Sequence, residues 1–64
     1  MTIEVAREAL MRYRNKGRDC ALVISPPGSE GEEEDLPIWG NPKLLLPLAE
    51  ALSAMGWNII DVGT

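Results

Sequence analysis

The stretch Asn41–Val62, NPKLLLPLAEALSAMGWNIIDV, decides the fold, because it reads as an amphipathic helix running directly into a strand. At about 100° per residue, Leu44, Leu45, Leu48, Ala49, Leu52 and Met55 share one broad stripe. Lys43, Glu50 and Ser53 fall opposite, with Leu46 the exception among them. Asn41 suits an N-cap and Pro42 the first helical position, while Gly56 suits a left-handed stop with Trp57 folding back as its hydrophobic contact. Pro47 conflicts with a start at Pro42, since its ring would meet the carbonyl of Lys43, so the sequence predicts a kink there or a later start. Trp57 to Val62 then reads as a strand in which Ile59 and Ile60 face opposite sides.

Working outward to the N-terminus, Thr2 caps a first helix reaching about Lys16, and Gly17 ends it. Ile3, Ala6, Leu10 and Tyr13, joined by Val5 and Ala9, share one face. Glu4 and Glu8 near its start and Arg12, Arg14 and Lys16 near its end match the helix dipole, and Glu8 to Arg12 is an i to i+4 pair. The basic residues Arg12, Arg14, Lys16 and Arg18 read either as a small phosphate- or acid-binding patch or, more plainly, as a solvated helix end. Asp19 to Ser25, DCALVIS, is a short strand with Cys20, Leu22 and Ile24 on one side and Ala21 and Val23 on the other. Apolar residues on both sides call for cover on both sides, from one helix on each face or from two helices on one face and a second subunit on the other.

The expected fold is therefore a small α/β unit in the order α-β-α-β, two or three layers deep, with two helices and a two-stranded sheet. Leu36-Pro37-Ile38-Trp39 can return beside the first strand as a third, antiparallel edge, a position that tolerates proline. The strands Asp19–Ser25 and Trp57–Val62 are expected to be parallel neighbours joined by a right-handed crossover through the second helix. Ala6, Leu10, Leu22, Ile24, Leu48, Leu52, Ile59 and Ile60 are expected in the core.

With 64 residues the chain makes one domain, residues 1–64, whose single core is marginal. One cysteine and no histidine leave no internal disulfide and no ordinary zinc site, so no cofactor or metal is expected, and Cys20 within CALVI reads as a buried hydrophobe. The start, MTIEVARE, lacks the apolar run of a secretory leader, and nothing approaches a membrane span, so a cytoplasmic protein is expected. A net charge of −4 disfavours nucleic acid or anionic membrane as direct partners and favours a basic one.

Residues 26–41 form a long acidic loop. Its start, Ser25-Pro26-Pro27-Gly28-Ser29-Glu30-Gly31, occupies the place of a phosphate-binding loop but matches neither G-x-x-x-x-G-K-[ST] nor G-x-G-x-x-G, and the acids behind it would repel phosphate. Glu30, Glu32, Glu33, Glu34 and Asp35 lack the spacing of a calcium loop, and no pocket is in view to tune them for acid or base catalysis, so a non-enzyme is expected. The plainest reading is a solvated loop that keeps the protein soluble. The functional reading is a recognition surface. In an extended stretch Glu30, Glu32 and Glu34 would lie about 7 Å apart on one side, a spacing comparable to phosphates along a nucleic-acid strand. Such a row fits an Arg- and Lys-lined groove, and Trp39, if exposed beside it, makes a natural anchor.

In size, acidity, lack of enzyme motifs and compact α/β core, the chain resembles the small acidic phage-encoded inhibitors of host nucleic-acid machinery, among them anti-CRISPR proteins. The resemblance implies an inhibitor acting in the host cytoplasm on a basic, nucleic-acid-binding protein, as a monomer or homodimer. The residues themselves nominate Glu30, Glu32, Glu33, Glu34, Asp35 and Trp39 for partner binding. The rival reading is a structural or regulatory subunit that completes a larger assembly through its apolar sheet face. A third is a minimal enzyme or nucleotide binder.

Overall fold

The computed structural model describes residues 1–28 and 35–64. The chain runs α1 (Ile3–Lys16), β1 (Cys20–Ser25), β2 (Leu36–Gly40), α2 (Pro42–Ala54) and β3 (Asn58–Gly63). The strands form one sheet in the order β2-β1-β3. The expected α/β class, the two helices and the third, antiparallel edge strand are all present.

Both helices are bounded by the residues that their chemistry predicts. The Thr2 hydroxyl accepts the Val5 N–H at 3.2 Å, and the Asn41 side-chain oxygen accepts the Lys43 N–H at 2.8 Å. At the other ends, Gly17 and Gly56 take φ of 66° and 92°. The Arg18 N–H reaches back to the Tyr13 carbonyl and the Trp57 N–H to that of Leu52, closing six-residue C-caps in which Trp57 packs on the core. The later start raised by Pro47 is not adopted: α2 begins at Pro42 and runs through Pro47 to Ala54. Pro47 and Lys43 are exposed, so water can take the Lys43 carbonyl that Pro47 has no N–H to satisfy.

The expected parallel pairing of β1 with β3 is wrong; they are antiparallel, as are β1 and β2. The chain reverses once between β1 and β2, before α2 begins, so α2 connects two strands that flank β1 and run parallel to each other. The crossover unit anticipated for β1 and β3 thus belongs to β2 and β3, with β1 between them.

Cys20, Leu22 and Ile24 of β1 and Ile59 and Val62 of β3 form one buried cluster with Ala6, Ala9 and Leu10 of α1 and Leu45, Ala49 and Leu52 of α2. Both helices therefore lie on the same face of the sheet, and the molecule has two layers. Alanines at 6, 9 and 49 leave little side chain between the helices, which lets them pack closely. Across their rim, the Arg7 guanidinium donates to the Glu50 carboxylate at 2.9 Å. This is the ion pair formed among the described residues, in place of the expected Glu8 to Arg12 pair.

The expected apolar faces of α2, α1 and β3 are each corrected. The buried face of α2 is Pro42, Leu45, Ala49 and Leu52, with Leu46 half-buried beside it, whereas Leu44 (72% exposed), Leu48 and Met55 face outward. The helix is rotated toward Leu46 because it must meet α1 as well as the sheet. On α1, Val5 is likewise exposed rather than part of the buried face. Ile60 is exposed because β3 carries a bulge: Val23 pairs with Asp61 and Ile24 with Ile59, leaving Ile60 as the extra residue. The extra residue turns both Ile59 and Val62 inward, which strict alternation would forbid.

Candidate protein-interaction face

The face of the sheet turned away from the helices follows from the strand register. Side chains of directly opposed residues share a face. Trp39, Ala21 and Gly63 therefore form one row, and Pro37, Val23 and Asp61 the next. Neither α1 nor α2 covers these rows. Ala21, Val23 and Gly63 are half-buried by their neighbours, while Pro37, Asp61 and Trp39 are exposed, Trp39 at 62%. An indole left in water beside other apolar side chains is unusual for a chain whose core is this small.

The edges bear on how a partner can approach. Pro37 lies on edge strand β2 and has no N–H to offer, and the bulge at Ile60 disrupts edge strand β3. Both devices discourage addition of a further strand at the edges of the sheet. At the loop end of β1, fully buried Ser25 accepts a hydrogen bond from the Asn58 side-chain amide at 3.2 Å, and the same amide donates to the Pro26 carbonyl at 3.2 Å. This ties the end of β1 to the start of β3.

Charge is segregated along the strands. The three strands contain no lysine or arginine and one acid, Asp61. Asp35 is exposed just before β2, where Ile24 pairs with Leu36. Arg18 and Lys43 lie beyond the opposite ends of the paired strands, where Cys20 meets Gly40, about 17 Å away at the usual rise of a strand.

Of the residues nominated from the sequence, Trp39 and Asp35 are both exposed and belong to the same edge of the sheet. Glu30, Glu32, Glu33 and Glu34 lie outside the described residues. Ala21, Val23, Pro37 and Asp61 were not nominated. Their common face depends on the register of β2 and β3 against β1, though the Ala21/Val23 side of β1 was already legible as apolar. Among the described residues no three potential ligands among Cys, Asp and Glu come together to hold a metal ion, and no helix is long and apolar enough to cross a membrane. Cys20 is wholly buried within the core, and burial followed by the nearby Asp19 pushes its thiol pKa up, which suits a packing residue and not a nucleophile.

Compared with protein-family models, curated proteins and solved structures, the chain matches none.

Proposed function

We propose that this chain is a small acidic binding protein, without catalytic activity, that docks a basic protein against the open face of its sheet. The observation that carries the reading is Trp39, exposed on an apolar face that neither helix covers. Buried aromatic anchors dominate the energetics of protein interfaces, and an indole already presented on a rigid strand loses little freedom on binding. The absence of cations from all three strands, with Asp61 on the face and Asp35 beside it, favours a basic partner over an acidic one. Glu30, Glu32, Glu33 and Glu34 are continuous in sequence with Asp35, and in this reading they guide the encounter and take the place of phosphates in the partner's groove. Inhibition of a nucleic-acid-binding host protein, as by the phage inhibitors that the chain resembles, is the form this activity takes. The uncovered apolar face equally suits the subunit reading, in which a stable neighbour in a larger assembly closes the sheet.

The test uses the intact chain as bait in host lysate, alongside Trp39→Ala and the double variant Glu32→Gln/Glu34→Gln. The expected result is retention of a basic protein that DNA or RNA displaces. Trp39→Ala should weaken it by about 2 kcal/mol or more, roughly thirtyfold, and the double variant should slow association and flatten its salt dependence. Unchanged binding by both variants would overturn the reading. Sedimentation at micromolar concentration separates the alternative, since an obligate assembly with the sheet face closed points to the subunit.

A further inference from the structure

The end of the sheet where Cys20 meets Gly40 carries a second feature. A cleft of about 230 Å³ opens between the end of α1 and the start of α2, lined by Arg14, Arg18, Asp19, Asn41, Pro42 and Lys43 among others. Arg14 comes from the last turn of α1, Arg18 from the connection to β1 and Lys43 from the first turn of α2, so folding brings together cations up to 29 positions apart in sequence. In a chain of net charge −4, three of its six basic residues meet here, and none of the three is in a salt bridge among the described residues. Among the described residues the Arg14 side chain makes one weak contact, 3.5 Å, to the Met11 sulfur.

We propose that this cleft binds a single dianionic phosphoryl group, as inorganic phosphate or as the end of a small phosphate monoester. The charge sets the ligand class: three cations against Asp19 leave two positive charges, which match a phosphate dianion better than a monoanionic carboxylate. Guanidinium forks suit tetrahedral oxyanions and can hold them bidentately, while Lys43 contributes a point charge. Size sets the upper limit, since the cleft is below the usual range of about 300–1,000 Å³ for pockets that enclose a drug-sized ligand. The beginning of α2 does not supply the binding. Pro42 has no N–H, the Lys43 N–H is taken by the Asn41 side chain, and the N–H groups of Leu44 and Leu45 are taken by the Asn41 carbonyl. The negative end of α1 also borders the cleft and opposes the positive end of α2. The site rests on its three side chains, and it stands whether or not the sheet face binds a protein.

The experiment titrates isotope-labelled protein with inorganic phosphate at pH 8 and constant ionic strength, following backbone amide shifts. Saturable shifts centred on Gly17, Arg18, Asn41 and Lys43 are expected, with weaker binding at pH 5.5 where phosphate is a monoanion. Arg18→Gln and Lys43→Gln, both at exposed positions, should each weaken binding about tenfold while leaving the remaining spectrum unchanged. Asp19→Asn should tighten it. Methyl phosphate in a parallel titration separates the sources: tighter binding than inorganic phosphate points to an ester, equal or weaker binding to the free ion. Shifts that stay linear and match those caused by chloride would mean an adventitious ion only and overturn the proposal. So would variants that bind phosphate as wild type does.

Discussion

The two faces of β1 are made from the same kind of residue and meet opposite fates. Cys20, Leu22 and Ile24 are sealed beneath two helices, while Ala21 and Val23, their immediate neighbours in sequence, lie half-buried on the face that neither helix covers. Apolar character therefore says that a strand face can be covered, and the number of helices available decides which face is. With two helices packed side by side, this chain covers one face. Neither helix covers the other, and Trp39 stands exposed on it.

The largest expected contrast between the faces is energetic. Leu22→Ala, at the centre of the sealed face, should cost about 2–5 kcal/mol, a large part of the roughly 3–10 kcal/mol expected for a chain of this length. Val23→Ala on the open face should cost much less, and Trp39→Ala should stay within about 0.5 kcal/mol. Urea unfolding of the three variants would measure the ordering, and equal losses at 22 and 23 would show that the open face is covered in solution.

A smaller effect concerns Cys20. Its thiol is held neutral in the folded state, with a pKa raised above the unfolded value. The stabilisation is complete below the unfolded pKa, about 8.5, and is lost progressively as pH rises from there through the folded value. The unfolding midpoint should therefore decline above about pH 8.5, less so in Cys20→Ala once its own cavity cost is subtracted. Thiol reagents should label Cys20 only as fast as the protein opens. Rapid labelling under native conditions would break the contrast between the faces.

The smallest effect lies at the rim of the sealed layer. Arg7 and Glu50 join the helices across their exposed edge, and Glu50 pushes the Arg7 guanidinium pKa further up through its hydrogen bond and then its charge. A double-mutant cycle with Arg7→Gln and Glu50→Gln should show a small favourable coupling that disappears in 1 M salt. A coupling that persisted in salt would mean that this edge is less open to water than its exposure implies.

What the sequence determined by itself was local. Thr2, Asn41, Gly17 and Gly56 bound the helices because a cap needs only a side chain or a positive φ within a few residues of the helix end. β1 and β3 were legible as apolar runs, and Leu36–Trp39 as an edge strand, the position to which Pro37 confines it. What only the tertiary structure decided was everything set by a neighbour distant in sequence. The leucines of α2 form two overlapping stripes, one through Leu44 and Leu48 and one through Leu45 and Leu52, and contact with α1 selected the second. The direction of β3 depended on the reversal between β1 and β2, a property of the path and not of β3 itself. The inward turn of Ile59 depended on a bulge that exists only against Val23 and Ile24. The meeting of Arg14, Arg18 and Lys43, like the shared face of Trp39, Val23 and Asp61, follows from helix packing and strand register, which periodicity along the chain does not encode.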